Sequence, residues 1–344
     1  MKHVIHKEFQ HFPDLANRAL AASVVYATDE SFAERENLIM PHEPLFDPAE
    51  FGNKGKVYDG WETRRRRHEE IGDYDFAIVR LGIPGQIMGV VVDTAWFTGN
   101  FPPEVAVWGT CQDDLLTGQE LADLPADQWF ELVPRTPAQG DHQHLFEVPE
   151  GHPARQRRVT HVKLDMIPDG GIARLRVHGR PAPDPRFLAG TIDVAAMENG
   201  ARVTECSNMF YSSPAQAIGL GRAVNMGGGW ENARRRGEGN DHFTVELAAE
   251  STLRWVEVDT SYFVFNAPGD IRLTGIAADG TEATLVPTTR VLPDTRHRFL
   301  IEDATSTGRF THVRLDVYPD GGLARLRVWG ELTDKGAQDI AARW

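Results

Sequence analysis

An internal duplication constrains this chain of 344 residues more than any other feature of its sequence. Residues 160–179 recur as residues 311–330, with 15 of the 20 aligned positions identical, which chance does not produce. Residues 75–94 match residues 241–260 without a gap. Two matches in the same order indicate two copies of one folding unit rather than an array of short repeats.

The joint between the copies is the proline-rich segment Arg180–Pro185, which we expect to be extended and stiff. We therefore predict two domains, a first repeat over residues 1–182 and a second over residues 183–344. Each domain has the length of an ordinary folding unit.

Charge and composition exclude several classes of protein. The chain has 36 Lys and Arg against 50 Asp and Glu, a net charge of −14, which disfavours binding to nucleic acid or an anionic membrane. The sequence contains neither an apolar run of membrane-spanning length nor a signal peptide. With only Cys111 and Cys206, a disulfide-linked scaffold is disfavoured and we expect a cytoplasmic protein.

Strand patterns dominate each copy. Residues 86–92 are rich in apolar and β-branched side chains and are bounded by turn residues on both sides. Long helical stripes are missing, so we expect helix only near residues 13–20, 31–39 and 335–343, and surface loops over residues 111–158. Two turn-rich antiparallel units of this kind predict an all-β protein made of two β-sandwiches.

The duplicated Pro168–Gly171 is strong turn chemistry and predicts a four-residue hairpin loop. In that register Leu164 lies opposite Leu175 on a buried face, and Asp165 lies opposite Arg174 on the other face. The second copy repeats the arrangement with Leu315 opposite Leu326 and Asp316 opposite Arg325. We expect each arginine to be within ion-pair distance of an acid.

A run of arginines follows a Trp-Glu pair in both copies. Residues 60–66 align with residues 229–236 if one residue is inserted in the second copy. An isolated arginine run is usually a solvated or ion-paired surface. Its repetition after the same Trp-Glu pair, in an acidic protein, favours a binding site equally.

These motifs carry a family resemblance. Residues 58–67, 90–94, 97–103 and 227–236, together with the doubled 160–179 segment, resemble allantoicase, over nearly the whole chain from about residue 15 to residue 332. The resemblance implies two tandem jelly-roll β-sandwiches of the galactose-binding, discoidin-like type. It also implies hydrolysis of allantoate to ureidoglycolate and urea in purine and allantoin catabolism.

Allantoate is an acetate whose α-carbon carries two ureido groups, so urea release breaks a bond between carbon and nitrogen. The leaving urea needs an acid that protonates it. A base must accept a proton from water or from the remaining N–H, and a planar cation must bind the carboxylate. The catalytic candidates are Glu62, Asp93, His161, Glu231, Asp259 and His312. The substrate-binding candidates are Arg64, Arg65, Arg66, Arg234, Arg235, Arg236, Trp61 and Trp230.

Each candidate has a structural alternative. The glutamates can be counter-ions of the arginines, the aspartates turn caps, the histidines hydrogen-bond partners and the tryptophans core residues. Spacings diagnostic of zinc are missing, so we expect no bound metal and no cofactor, with a loosely held divalent cation left open. We expect a homo-oligomer. The alternative functions are a paralogue acting on ureidoglycolate and a non-catalytic discoidin-like binding protein.

Overall fold

The computed structural model describes residues 8–67, 73–302 and 308–344. It divides into two compact units, Met1–Arg180 and Pro181–Trp344. Both units are built almost entirely of antiparallel strands, and the prediction of an all-β protein of two tandem repeats is confirmed.

The first unit contains eleven strands and one short α-helix among its described residues. The strands are β1 (Ser23–Ala27), β2 (Phe51–Gly52), β3 (Gly55–Lys56), β4 (Trp61–Glu62), β5 (Asp75–Asp93), β6 (Glu104–Thr110), β7 (Phe130–Pro137), β8 (Gln143–Glu147), β9 (Val159–Ile167), β10 (Gly171–Ile172) and β11 (Arg174–Pro181), and the helix is α1 (Gly118–Ala122). Residues 111–158, expected to be surface loops, therefore supply β7 and β8 to the sheets, which corrects that expectation.

The long strand β5 organises the first unit because its two halves have different neighbours. Its first half pairs with β1 and β9, and its last five residues pair with β8. β11 also pairs with β5. The register with β9 shifts between Arg80 and Gly85. Gly82 lies in this interval, where an added Cβ would be 2.0 Å from the Leu20 carbonyl oxygen, so the close approach requires glycine.

The second unit repeats this organisation. Its strands are β12 (Ile192–Asp193), β13 (Arg202–Cys206), β14 (Asp241–Asp259), β15 (Asp270–Ile276), β16 (Glu282–Arg290), β17 (Arg296–Leu300), β18 (Phe310–Tyr318) and β19 (Arg325–Leu332), followed by the helix α2 (Asp334–Ala341). The first half of β14 pairs with β13 and β18, and its second half pairs with β17 and β19. The other predicted helices appear only as 3-10 turns, Arg18–Leu20 and Arg35–Ile39.

The predicted hairpin is wrong. β9 pairs with β5 and β6, whereas β11 pairs with the other half of β5, so the two strands are not neighbours. Asp165 lies opposite Phe76 and Ala106 instead of Arg174. All four leucines of the predicted pairs are nevertheless fully buried. Apolar alternation assigns the face of a strand, and it is satisfied equally by either layer of a sandwich.

The segment after Pro168 is a junction between sheets rather than a turn. Gly171 and Ile172 form β10, which pairs with β4 and not with the preceding strand. A Cβ at Gly171 would lie 2.0 Å from the Phe97 ring, and Gly170 has a φ of +145°. The duplicated glycines therefore allow a neighbouring loop to pack directly on this backbone.

The two buried arginines at the start of β11 and β19 also have other partners than predicted. Arg174 donates to a carboxylate oxygen of Asp59 at 2.7 Å, not to Asp165. Arg325 donates to five backbone carbonyl oxygens, those of Gln216, Leu220, Gly221, Gly228 and Ala324. Burial lowers the pKa of Arg325 to about 10.

Candidate functional site

A carboxylate and a carboxamide meet at one end of each sandwich. Asn100 Nδ2 donates to Glu62 Oε1 at 2.8 Å, and Asn266 Nδ2 donates to Glu231 Oε1 at 2.7 Å. We call these positions and the loops that flank them the end-loop sites. In the first repeat the flanking loops are residues 28–34, 63–67, 94–103 and 168–170, and in the second they are residues 207–213, 232–240, 260–269 and 319–322.

The backbone of each glutamate is held between two segments. The Glu62 carbonyl accepts hydrogen bonds from the N–H groups of Phe32 and Ala33, at 3.2 Å each. On its other side, β4 pairs with β10. The Glu231 carbonyl likewise accepts from Tyr211 and Ser212. These bonds fix the backbone position of each glutamate, independently of its side-chain contacts.

Trp61 and Trp230 belong to the core beneath these sites. Both side chains are fully buried. Each indole N–H donates to a loop carbonyl, that of Asp29 at 2.7 Å or that of Asn208 at 2.9 Å. The tryptophans therefore anchor a flanking loop, and their rings are buried in the core.

Glu62 is partly buried. Burial raises the pKa of its carboxyl, whereas the hydrogen bond from Asn100 and the positive charge of Arg65 act in the opposite direction. A carboxyl with a raised pKa keeps more of its proton near neutral pH, which a general acid requires.

The third arginine of the first run, Arg66, is a counter-ion within the fold. It donates to Asp75, a buried acid, at 2.8 Å, and its backbone N–H donates to Asp169 at 2.7 Å. Its counterpart Arg235 makes the same bonds to Asp241 and Asp320, both at 2.6 Å. The Asp of each Pro-Asp-Gly-Gly segment therefore holds the arginine run.

These contacts correct the sequence alignment of the two runs. Thr63 and Gly170 exchange hydrogen bonds, as do Asn232 and Gly321. Thr63 is thus equivalent to Asn232, and no residue is inserted. Arg65 corresponds to Arg234, Arg66 to Arg235 and Arg67 to Arg236, while Arg64 corresponds to Ala233.

The remaining arginines of the runs lie at the surface. Arg64 is exposed, and its Nε lies 3.7 Å from Asp29 Oδ2. Arg65 and Arg234 are also exposed, three residues after their glutamates, and Arg236 is exposed at the end of the second run. Arg65 is the arginine whose charge acts on Glu62.

The two aspartates at the ends of β5 and β14 cap turns. Asp93 Oδ1 accepts from the N–H of Ala95 at 2.8 Å, and Asp259 Oδ1 accepts from the N–H of Ser261 at 2.9 Å. Both side chains are buried. They shape the loops that carry Asn100 and Asn266 rather than facing solvent.

The two histidines lie away from the end-loop sites. His161 precedes Pro168 by seven residues of strand, and His312 precedes Pro319 by the same interval. At about 3.3 Å per residue the separation is roughly 20 Å. Burial and the neighbouring charge of Arg80 lower the pKa of His161 to about 4, so this imidazole is neutral at pH 7.

Asn100 and Asn266 are the residues that sequence reasoning missed. A signal for them exists, because Phe97 and Asn100 have the same spacing as Phe263 and Asn266, in register with the Asp93 and Asp259 match. Residues 94–103 and 260–269 match at four of ten positions, and this match alone does not show that the asparagines meet the glutamates.

The rims of the two sites differ in chemistry. Ser31, Arg64, Thr98 and Gly99 in the first repeat are replaced in the second by Phe210, Ala233, Val264 and Phe265. Phe265 is 99% exposed and Phe210 71% exposed. At these four positions the first site carries small, polar or cationic residues, and the second carries apolar side chains.

Within the described ranges, no group of three or more His, Cys, Asp or Glu side chains is placed to hold a metal ion. The same part of the chain has no helix long and apolar enough to cross a membrane.

Comparison with known proteins gives one consistent result. The family model described as "Allantoicase repeat" matches residues 13–182 and 192–333. A protein named "Probable allantoicase" from Nocardia farcinica is 51% identical over 94% of this chain and 95% of its own length. "Allantoicase" from Dictyostelium discoideum is 38% identical over 93% of this chain and 87% of its own length.

A solved structure agrees. The crystal structure of allantoicase from Saccharomyces cerevisiae superposes with a TM-score of 0.80 at 34% identity, covering 94% of this chain and 96% of the other.

Proposed function

This chain belongs to the allantoicase family and hydrolyses allantoate to ureidoglycolate and urea, and we propose that the reaction takes place at the end-loop site of the first repeat. The observation that carries the proposal is the juxtaposition of Glu62 and Arg65 on a polar rim. An acid and a planar cation are the two groups that this substrate needs most.

Glu62 is assigned as the general acid. Cleavage releases urea as a poor leaving group unless its nitrogen is protonated, and collapse of the aminal carbon is assisted by the other ureido nitrogen. Burial raises the pKa of Glu62, which is the direction that a general acid requires. After the bond to carbon breaks, the carboxylate of Glu62 can take the proton back from the attacking water.

Arg65 is assigned to the carboxylate of the substrate. Its guanidinium is exposed, unlike that of Arg66, which is committed to Asp75. A guanidinium binds a carboxylate with two parallel hydrogen bonds, which orients the substrate as well as attracting it. Arg64 adds a second positive charge at the same rim.

The second repeat keeps the glutamate, the carboxamide and Arg234 but lacks the polar rim. Its flanking loops carry the exposed Phe210, Val264 and Phe265 where the first repeat has smaller or polar residues. Allantoate carries one carboxylate and two ureido groups, all of which lose hydrogen bonds to water when they approach apolar surface. We therefore assign the chemistry to Glu62 and not to Glu231.

The test is urea release by the purified protein and by its Glu62→Gln variant. We expect the wild type to release urea from allantoate and the variant to fall to background, because glutamine cannot donate a proton as an acid. Circular dichroism checks that the variant is folded. Full activity in the folded variant overturns the assignment. Ureidoglycolate supplied as substrate tests the paralogue alternative directly.

We also propose that the protein acts without an organic cofactor or a bound metal, since Glu62 and Arg65 supply the acid and the anion-binding group. Dialysis against a chelator is then expected to leave the rate of urea release unchanged. A loss of activity that Mn²⁺ or Mg²⁺ restores indicates the loosely held cation instead.

Two further expectations about the protein's setting remain proposals. Exposed apolar side chains in the second repeat, among them Met209, Phe210 and Phe265, support a homo-oligomer. Light scattering on the purified protein measures its oligomeric state. Both Cys111 and Cys206 are unpaired, which supports a reducing cytoplasm.

A further inference from the structure

The Asn–Glu hydrogen bond occurs at equivalent places in both repeats although the loops around it differ. Asn100 and Asn266 lie on the loops that follow β5 and β14, and their partners lie on separate segments. The two bonds have nearly equal lengths, 2.8 and 2.7 Å. Both repeats therefore share the geometry of this hydrogen bond, and they differ in the residues around it.

The loop that carries Asn100 is fixed by contacts of its own. Thr94 Oγ1 donates to the carbonyl oxygens of Gln139 and His142, at 2.5 and 3.0 Å. Phe97 is fully buried, and its ring packs so closely on the backbone that a Cβ at Gly60 would be 2.7 Å away. The carboxamide is therefore placed by the protein before it meets Glu62, which is preorganisation of the kind that catalytic groups need.

The hydrogen bond also sets what the carboxyl group can do. Asn100 binds Oε1 through an N–H donor, which leaves Oε2 as the oxygen available to a substrate. An amide does not titrate, so the donor is present at every pH. A donor to a carboxylate favours the charged form and therefore opposes the effect of burial on Glu62.

We propose that Asn100 is a positioning residue of the reaction, which holds the Glu62 carboxyl group so that its free oxygen meets the leaving nitrogen of the substrate. This inference rests on the proposed role of Glu62. Asn266 makes the same bond in the second repeat and, in this account, does not affect turnover.

The test compares Asn100→Ala with Asn266→Ala, its matched control. For Asn100→Ala we expect kcat to fall on the order of 100-fold with KM little changed, because a misdirected acid costs rate rather than binding. The limb of the pH–rate profile that reports Glu62 moves to higher pH, since the carboxylate has lost a hydrogen-bond donor. Asn266→Ala retains the wild-type kcat and profile.

A purely structural clamp predicts a different pattern. It lowers the melting temperature in both variants and leaves the pH limb where it was. Wild-type kcat and an unmoved limb in folded Asn100→Ala overturn the inference.

The isosteric Asn100→Asp variant serves if the alanine variant does not fold. It places a second carboxyl beside the first, so the limb is expected to move further upward and the rate to fall more. If the limb of the pH–rate profile that reports Glu62 does not move in folded Asn100→Asp, the inference is also overturned.

Failure of this inference is distinguishable from failure of the proposed function. If Glu62→Gln is inactive while the Asn100 variants behave as wild type, only the positioning role is wrong. If folded Glu62→Gln is active, the assignment of the acid itself is wrong.

Discussion

The end-loop sites of the two repeats share a framework and differ at the rim. Both contain a buried tryptophan, an Asn–Glu hydrogen bond and an arginine paired with a buried aspartate. At the rim, Gly99 of the first repeat is replaced by Phe265 of the second. Both repeats keep the glutamate, its carboxamide partner and the exposed arginine three residues later, whereas the residues that border these groups have diverged. Identity between the repeats therefore does not separate catalytic from structural residues, and the rim is what distinguishes one site from the other.

The largest expected effects concern the shared framework and are equal in the two repeats. Leu164 and Leu315 are both fully buried on equivalent strands. Leu164→Ala and Leu315→Ala are each expected to lower the free energy of unfolding of their repeat by about 2–5 kcal/mol. Urea denaturation measures both. A loss below 1 kcal/mol in either variant means that the two cores are not equivalent.

The pH dependence of stability is the next largest effect. Because the pKa of His161 is about 4 in the folded protein, the unfolded chain, with an ordinary histidine pKa, takes up a proton first as the pH falls. The stabilisation is present above about pH 6.5 and is lost progressively towards pH 4, by up to about 3 kcal/mol.

Replacement of His161 by Gln is expected to remove this part of the acid sensitivity. Denaturation at pH 7 and pH 4.5 measures it as a difference from the wild type, so that contributions from the carboxylates common to both proteins cancel. The exposed His142→Gln variant is the control. Equal acid sensitivity in His161→Gln and the wild type contradicts the burial of a neutral imidazole.

The fold could be predicted from the sequence further than the site could. Duplication and strand patterning were enough to predict two β-sandwiches and the burial of Leu164 and Leu175. Strand partners were not predictable, because alternation is the same whichever layer a strand joins. The arginine run was equally ambiguous: Arg66 is distinguished from Arg65 only by Asp75 and Asp169, which the fold brings to it.

At the first rim, Arg65→Lys keeps the charge and loses the planar pair of donors. We expect KM for allantoate to rise about 10-fold with a smaller change in kcat. Arg234→Lys is the matched variant in the second repeat and is expected to leave both constants unchanged. An equal rise in KM for the two variants indicates that both repeats bind substrate.

The smallest expected effect comes from exchanging a single rim residue between the repeats. Gly99→Phe introduces the side chain that the second repeat carries, at a position where an added Cβ meets nothing within 4 Å, so the fold is expected to tolerate it. KM is expected to rise several-fold because an apolar ring borders the substrate. Phe265→Gly, the reverse change, is expected to leave KM unaffected. Steady-state kinetics on both variants shows whether the rim distinguishes the repeats.

The most direct test of the central assignment is urea release by Glu62→Gln and Glu231→Gln measured side by side. The carbonyls of the two glutamates accept from equivalent backbone N–H groups, and the carboxyl groups have the same kind of carboxamide donor, so we expect the variants to perturb the fold alike. We predict background activity for Glu62→Gln and nearly wild-type activity for Glu231→Gln. Similar losses in both variants, or loss in Glu231→Gln alone, contradict the assignment of the reaction to the first repeat.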